Sequence, residues 1–243
     1  MSTDLTDLAA RRPLLVASDY DGVLARLRDV PGEAVLEDWA PDLLRRLAGA
    51  DGVTVAMVSG RGVDDLRTTS GLADPIRFVG SHGAEFDDGL DPAVAAERDL
   101  LVTALQPLVD AVPGAHLEVK PAAVAVHVRP VADRAAATAL LERAAAAAGP
   151  HHTAKPGKDV LEIAVTDADK GTAVLRLAEQ LGADGVAYLG DDVTDEDAFT
   201  ALADRPGALT VKVGEGDTAA RVRVADLDGV RELLEELAAA LEV

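Results

Sequence analysis

The sequence contains no cysteine and very few aromatic side chains. Without cysteine, the protein forms no disulfide, has no cysteine-bound zinc and cannot use a thiol nucleophile. Phe, Trp and Tyr together make up 2% of the residues, so a broad stacking surface for single-stranded nucleic acid is not expected. These shortages leave carboxylates, hydroxyls, lysines and histidines as the groups available for chemistry.

Positive charge is also scarce, because 23 Lys and Arg residues face 43 Asp and Glu residues, for a net charge of -20. Such a chain repels the phosphates of nucleic acid and the surface of an anionic membrane. We therefore expect neither as a partner. A site for a phosphorylated ligand would need local positive charge from a metal ion, a lysine or a helix N-terminus.

Long apolar runs are absent as well, since none approaches the roughly 20 residues that span a bilayer. Residues 1–7 lack the basic start of a secretion signal, and we expect a cytoplasmic protein. What the chain does have is a hydrophobic content of 49% over 243 residues. That is enough for a large core with a smaller companion domain.

Strand and helix patterns alternate at both ends of the chain, which predicts an α/β fold with a parallel sheet between helices. Apolar runs without helical period predict buried strands over residues 14–18, 53–58, 77–79, 185–189 and 209–213. Helical spacing predicts helices over residues 35–47, 63–70, 170–181, 195–203 and 230–241.

The pattern between these two blocks is different and predicts an inserted α+β domain. Helices are expected over residues 92–112 and 132–148, and strands over 116–121, 123–129 and 160–165. We therefore divide the chain into a core of residues 1–91 and 166–243 and an inserted domain of residues 92–165.

Two carboxylates follow the first predicted strand. Asp19 and Asp21 are two residues apart, and such close carboxylates repel each other unless a cation lies between them or one is protonated. This suits a division of labour in which Asp19 attacks a phosphorus atom and Asp21 serves as general acid and base. The alternative is a turn at the end of a strand, because Asp favours turns.

More polar groups follow other strands, and the carboxyl ends of parallel strands line one crevice. Asp191 begins an acidic cluster and is placed to share a Mg²⁺ ion with Asp19. Asp192 and Asp195 would support the metal ligands without binding the ion directly. Helix N-capping is the alternative for the cluster, and we prefer it for Glu196 and Asp197.

The phosphate side of such a site needs donors and a cation. Ser59-Gly60-Arg61 offers a hydroxyl and backbone N–H groups just before a helix, although Ser and Gly are ordinary at a helix start. Lys170 opens another helix and would supply the cation that an attacked phosphoryl group requires. A solvated surface lysine would normally be the expectation at that position, because a cation at a helix start is unfavourable.

Taken together, these residues resemble the haloacid dehalogenase (HAD) superfamily of phosphatases. Its four motifs are matched in order by Asp19-Tyr-Asp21-Gly-Val23, Ser59-Gly-Arg61, Lys170 and Gly190-Asp-Asp-Val-Thr-Asp195. The match covers the core, about two-thirds of the chain, and implies a Rossmann-like parallel-sheet HAD core with an inserted α+β cap domain.

Within the superfamily, the chain is most similar to the trehalose-6-phosphate phosphatases. The similarity lies in Gly80-Ser-His-Gly83, in the stretch from Leu189 to Phe199, and in the cap pattern Glu118-Val-Lys120, Val126-His-Val-Arg129, Gly157-Lys158 and Leu161-Glu162. It implies Mg²⁺-dependent hydrolysis of trehalose 6-phosphate through an aspartyl-phosphate.

The resemblance also assigns roles to individual residues. Asp19 is the nucleophile, Asp21 the acid and base, and Ser59 and Lys170 bind the phosphoryl group. Mg²⁺ lies on Asp19, the Asp21 backbone and Asp191, with Asp192 and Asp195 in support. The substrate is bound by Gly60, Arg61, His82, Glu118, Lys120, Arg129, Lys158 and Glu162. For Glu118 and Lys120, a cross-strand surface pair is the alternative.

The chain departs from the family at several positions. Val23 replaces the usual Thr, Ala25-Arg26 replaces a small residue and Pro, and Ile163-Ala164-Val165 follows Glu162 where Arg-Pro is usual after a branched residue. These changes keep open a phosphatase for another sugar phosphate, such as sucrose phosphate or a phosphorylated glycerate glycoside. An inactive sugar-phosphate-binding protein is a further alternative, against which the intact Asp19, Asp21, Lys170 and Asp191 speak. We expect a monomer with a small-molecule partner.

Overall fold

The computed structural model describes residues 2–28 and 30–243. It consists of two compact units, the first comprising the chain up to Asp87 together with Ala168–Val243, and the second Asp88–Asp167. That the inserted residues fold as a separate domain stays a prediction.

The helices and strands are numbered here in chain order. The strands are β1 (Leu14–Ser18), β2 (Val53–Val58), β3 (Arg77–Gly80), β4 (Glu85–Phe86), β5 (Gly89–Leu90), β6 (His116–Lys120), β7 (Ala123–His127), β8 (Thr153–Gly157), β9 (Val160–Ala164), β10 (Gly185–Gly190), β11 (Ala208–Val213) and β12 (Val222–Val224). The helices are α1 (Ser2–Ala9), α2 (Ala40–Gly49), α3 (Val63–Ser70), α4 (Pro92–Asp110), α5 (Arg134–Ala148), α6 (Lys170–Leu181), α7 (Glu196–Ala201) and α8 (Leu227–Ala240).

The strands of the first unit lie in the order β12-β11-β10-β1-β2-β3-β4. All neighbours are parallel except β3 and β4, which are antiparallel. Strand β1 is central, and its last residue, Ser18, lies opposite Leu189 of β10 and Met57 of β2. The residues that follow these three strands therefore meet at one edge of the sheet, and the predicted α/β fold is confirmed.

Strand β1 is apolar throughout because both of its faces are covered. Leu14 and Val16 belong to a core that includes residues of α1, α2 and α8. Leu15 and Ala17 belong to the core on the other face, which includes residues of α6 and α7. Helices on both faces leave the carboxyl edge of the sheet as the place where polar side chains gather.

The second unit has an antiparallel sheet in the order β6-β7-β9-β8. Val124, Val126 and Ile163 point to the face covered by α4 and α5, where they join Leu105 and Leu140 in a core. Since side chains alternate along a strand, the opposite face of this sheet carries the neighbouring residues of each strand, many of which are polar.

Several predicted bounds differ from the structure. The helix expected over residues 35–47 begins only at Ala40, because Leu36 bridges to Ala25 and the Glu37 N–H donates to the Leu24 carbonyl. Pro41 suits the first turn of the shortened helix. Strand β8 was not predicted, since it is exposed throughout and contains Pro156; α1, β4, β5 and β12 were also missed.

Candidate active site

Asp19 directly follows β1 and its side chain is 8% exposed. Its Oδ1 accepts a hydrogen bond of 2.6 Å from the Tyr20 N–H, and its Oδ2 accepts one of 2.7 Å from Lys170 Nζ. Burial raises the pKa of Asp19 to about 7, although the charge of Lys170 opposes this shift. The carboxylate is therefore held in a fixed orientation by two donors, at the end of the central strand.

Lys170 is the first residue of α6 and is 2% exposed, so it is not the solvated lysine that sequence left open. Its Nζ lies between Asp19 Oδ2 and Asp195 Oδ1, at 2.7 and 2.8 Å. Burial would lower the pKa of this amine, but the two carboxylates raise it above the ordinary value. Lys170 thus brings a permanent positive charge to the nucleophile, at a helix end where the dipole disfavours a cation.

Asp195 is completely buried and is engaged at both oxygens. Oδ1 also accepts a hydrogen bond of 2.7 Å from the Tyr188 hydroxyl, and Oδ2 accepts one of 2.9 Å from each of the Asp191 and Asp192 backbone N–H groups. Asp195 accepts four hydrogen bonds in all, and the two from Asp191 and Asp192 fix the loop after β10.

Asp191 lies in that loop, beside the nucleophile. Oxygen atoms of Asp19, Asp191 and Asp195 lie within 4.8 Å of one another. Burial, with the charges of Asp195 and Asp192 in addition, raises the pKa of Asp191 to about 6. Buried carboxylates this close favour a bound cation, and carboxylate oxygens are the donors that hard divalent cations prefer. Because Asp195 is already saturated, Asp19 and Asp191 are the carboxylates that fit such an ion.

Asp21 is paired with an arginine. Its two oxygens accept hydrogen bonds of 2.6 Å from Arg61 Nε and 2.8 Å from Arg61 Nη2. Arg61 Nη1 donates a bond of 2.8 Å to Asp65, and the guanidinium lies 5.2 Å from the centre of the Tyr20 ring. The sequence predicts that Arg61 contacts the substrate. In the structure, Arg61 instead contacts Asp21, the predicted acid and base.

Ser59 follows β2 and is 2% exposed. Its hydroxyl accepts a bond of 3.3 Å from the Arg61 N–H, and its carbonyl accepts one of 2.9 Å from the His82 N–H. The His82 ring faces Gly60, where a Cβ would lie 2.6 Å from the ring. Ser81 and His82 both have left-handed φ angles, 52° and 56°, so a strained turn supports the Ser59 loop.

In the second unit, the predicted residues share the polar face of the sheet. Glu118 Oε2 lies 2.7 Å from His127 Nε2, and Lys120 donates to Glu162. Glu118 and Lys120 are therefore each paired across strands, with His127 of β7 and Glu162 of β9, and not with each other. Two further predicted residues, Arg129 and Lys158, are exposed and lie outside the strands. Arg129 follows the end of β7, and Lys158 lies in the turn between β8 and β9.

Two residues of the site were not predicted from sequence. Tyr188 is buried in β10 and donates to Asp195, and Lys212 is buried in β11 and donates to the Asp191 carbonyl. The signal was available, because a tyrosine and a lysine inside strands that are otherwise buried require polar partners.

Comparisons with known proteins find relatives along most of the chain. The profile of the trehalose-phosphatase family matches residues 17–228. A bifunctional trehalose-6-phosphate synthase/phosphatase of Thermoproteus tenax is 35% identical over 96% of this chain, which spans 33% of that protein. A trehalose-6-phosphate phosphatase of Escherichia coli is 34% identical over 92% of this chain and 86% of its own length.

Solved structures show the same fold. A trehalose-6-phosphate phosphatase from Aspergillus fumigatus superposes with a TM-score of 0.74 at 24% identity and covers 98% of this chain and 97% of its own. A trehalose-6-phosphate phosphatase related protein gives 0.70 at 26% identity, with coverage of 93% and 97%. A haloacid dehalogenase-like hydrolase from B. subtilis also matches, with a TM-score of 0.54 at 18% identity over 91% of this chain and 98% of its own.

Proposed function

The chain belongs to the trehalose-phosphatase family, and we propose that it hydrolyses trehalose 6-phosphate to trehalose and inorganic phosphate. The observation that carries this proposal is the buried Asp19–Lys170 pair beside Asp191. This arrangement supports Asp19 as the nucleophile, because a cation and a second carboxylate lie beside it.

In the first step, Asp19 attacks the phosphorus atom. A bond forms between the Asp19 carboxylate oxygen and phosphorus, and the bond from phosphorus to the sugar oxygen breaks. Asp21 gives its proton to the departing oxygen, so that trehalose leaves as a neutral alcohol. The enzyme is left with an aspartyl-phosphate on Asp19 and a carboxylate on Asp21.

In the second step, a water molecule attacks the phosphorus atom of the aspartyl-phosphate. Asp21 takes a proton from that water, and the bond between phosphorus and the Asp19 oxygen breaks. Inorganic phosphate leaves, and both residues return to their initial states. Lys170 and the Ser59 hydroxyl bind the phosphoryl oxygens in both steps.

We further propose Mg²⁺ as the cofactor, held by the Asp19 and Asp191 carboxylates and the Asp21 backbone, with Asp192 and Asp195 in support. When bound, the ion neutralises the charge of the phosphoryl group. The fit rests on the donor set, because all of these ligands are oxygen atoms. The pKa values of Asp19 and Asp191 are raised, so their charged forms are disfavoured, and a bound cation would stabilise them.

The substrate is a small sugar phosphate, and the polar face of the second unit is the surface that we propose for its hydroxyl groups. Charged side chains make strong hydrogen bonds to hydroxyls, and Glu118, Lys120 and Glu162 supply them on this face, with Arg129 and Lys158 beyond the end of the sheet. Gly60 and His82 are proposed to border the phosphate. A monomer in the cytoplasm remains our expectation, and no helix in the described part of the chain is long and apolar enough to cross a bilayer.

The test is phosphate release from a panel of sugar phosphates, with Mg²⁺ and with chelator. We expect turnover of trehalose 6-phosphate only with the metal, and none by Asp19→Asn. Turnover of every other sugar phosphate but not this one would reject the substrate. Full activity of Asp19→Asn would reject the nucleophile.

A further inference from the structure

We propose that Arg61 is a positioning residue, which holds the Asp21 carboxylate in one orientation for proton transfer, and that it is not a ligand of the substrate phosphate. This inference deepens the proposed function and rests on it. It starts from the contacts of the guanidinium group, which sequence alone did not indicate.

The guanidinium group is directed to carboxylates on two sides. Nε and Nη2 make a two-pronged contact with the oxygens of Asp21, at 2.6 and 2.8 Å, and Nη1 contacts Asp65 at 2.8 Å. The Arg61 side chain is 8% exposed, whereas Asp21 is 29% and Asp65 48% exposed. A substrate phosphate would have to displace a carboxylate to reach the fork that Asp21 occupies.

The base of the Arg61 side chain is also fixed. The Arg61 carbonyl accepts a bond of 2.7 Å from the Ser81 N–H, in the turn with left-handed φ angles. The guanidinium lies over the ring of Tyr20, which is buried and donates a bond of 2.9 Å to the Ala34 carbonyl. Backbone and ring together leave Arg61 little freedom to move toward another ligand.

This arrangement suits a carboxyl group that gives and takes one proton. In the first step the proton moves from Asp21 to the sugar oxygen, and in the second a proton of water moves to Asp21. Both transfers need a defined direction of the oxygen, because general acid–base catalysis depends on hydrogen-bond geometry. Two parallel bonds from Arg61 define the carboxylate plane, and the bond to Asp65 keeps the guanidinium seated while Asp21 changes state.

The chemistry of the leaving group separates positioning from phosphate binding. A sugar alkoxide needs a proton to depart, whereas p-nitrophenolate departs as a stable anion. The kcat/KM value reports only the steps up to release of the alcohol or phenol, so it is insensitive to the later attack of water. Loss of Asp21 orientation therefore lowers kcat/KM for the sugar phosphate and spares the aryl phosphate.

The experiment compares kcat/KM for trehalose 6-phosphate and p-nitrophenyl phosphate in Arg61→Lys, which keeps the charge but loses the fork. We expect a fall of about 100-fold with the sugar phosphate, within the range that general acid catalysis contributes, and little change with the aryl phosphate. The matched control is Arg67→Lys, an arginine of α3 that pairs with Asp87, which should leave both values unchanged.

Equal losses with both substrates would overturn the inference, since they are the signature of a phosphate ligand or of misfolding. Full activity with both would overturn it as well. If Arg61→Lys does not fold, Asp65→Asn tests the same point, with a smaller loss confined to the sugar phosphate. If the wild-type protein releases phosphate from another sugar phosphate but not from trehalose 6-phosphate, the proposed substrate fails, and Arg61 is judged with that other substrate.

Discussion

Gly22 and Asp191 approach so closely that a Cβ on Gly22 would overlap the Asp191 carboxylate. The loop after β1 and the loop after β10 thus touch through a position that admits only hydrogen. Gly22 also has a φ of 73°, a conformation that other residues adopt at a cost.

The first prediction is that Gly22→Ala displaces Asp191 and abolishes both activity and metal binding. Backbone strain adds about 1–2 kcal/mol of destabilisation. Isothermal titration with Mg²⁺ and phosphate release measure the two losses. Gly71→Ala is the matched control, since Gly71 has a φ of 63° but open space at its Cβ. Equal effects of both substitutions on metal binding would contradict the role of the Asp191 contact.

Second, Lys170→Met should leave two buried carboxylates without their cation. We expect loss of activity and a decrease of about 3–5 kcal/mol in the free energy of unfolding at pH 8, measured by urea denaturation. The deficit should shrink at pH 5, because Asp19, whose pKa is already raised to about 7, then carries a proton. A deficit that grows as the pH falls would show that repulsion between carboxylates is not its cause.

Third, stabilisation by Mg²⁺ should increase with pH. Burial raises the pKa of Asp19 to about 7 and that of Asp191 to about 6, so the folded apoprotein holds protons there that the unfolded chain has lost. Its stability therefore falls as the pH rises from about 4 to 7. Mg²⁺ binds the charged forms, and the rise in Tm on its addition should be larger at pH 8 than at pH 5.5. Asp191→Asn should flatten this difference, and an equal rise at both pH values would argue against these ligands.

Fourth, Tyr188→Phe should lower the free energy of unfolding by about 1 kcal/mol, the lower end for a buried hydrogen bond. The loss stays small because Asp195 keeps three other donors, from Lys170, Asp191 and Asp192. Urea denaturation measures this loss. A loss several times larger would mean that the hydroxyl stabilises other residues in addition to Asp195.

Fifth, Glu162→Gln should raise KM for the sugar phosphate about 10- to 100-fold, as expected for a lost hydrogen bond to a charged group. KM for p-nitrophenyl phosphate, which lacks the sugar, should be unchanged. Arg143→Ala, an exposed substitution on α5, is the control within the same unit. An unchanged KM for the sugar phosphate would remove Glu162 from the proposed sugar surface.

The sequence predicts the positions of the carboxylates in the candidate site better than it predicts the residues that contact them. Asp19 and Asp191 were predictable because the ends of parallel strands meet at one edge, and that edge follows from the alternation of strands and helices. The burial of Lys170 was not predictable, since a lysine at a helix start is equally compatible with solvent. The contact of Arg61 with Asp21 was missed for a similar reason, as the two are 40 positions apart and only the folded chain decides which carboxylate an arginine meets.

The missed fold elements have local causes. Strand β8 is exposed on both faces, so its sequence lacks the alternation by which a half-buried strand is identified. The segment before α2 has helical spacing, yet Leu36 instead bridges to Ala25. In both cases pairing with another segment, β9 for β8 and Ala25 for Leu36, outweighed the local pattern.

The sheet that carries Glu118, Lys120 and Glu162 packs on its own hydrophobic core. Among the residues that the structure describes, this core shares no buried side chain with the two cores around β1. In the function that we propose, substrate choice and bond cleavage therefore belong to separately packed parts of the chain. We expect substitutions on the polar face of β6, β7 and β9 to leave the support of Asp19 unchanged. Directed evolution toward other sugar phosphates can therefore be confined to the polar face of this sheet, with the unit that contains Asp19 left unchanged.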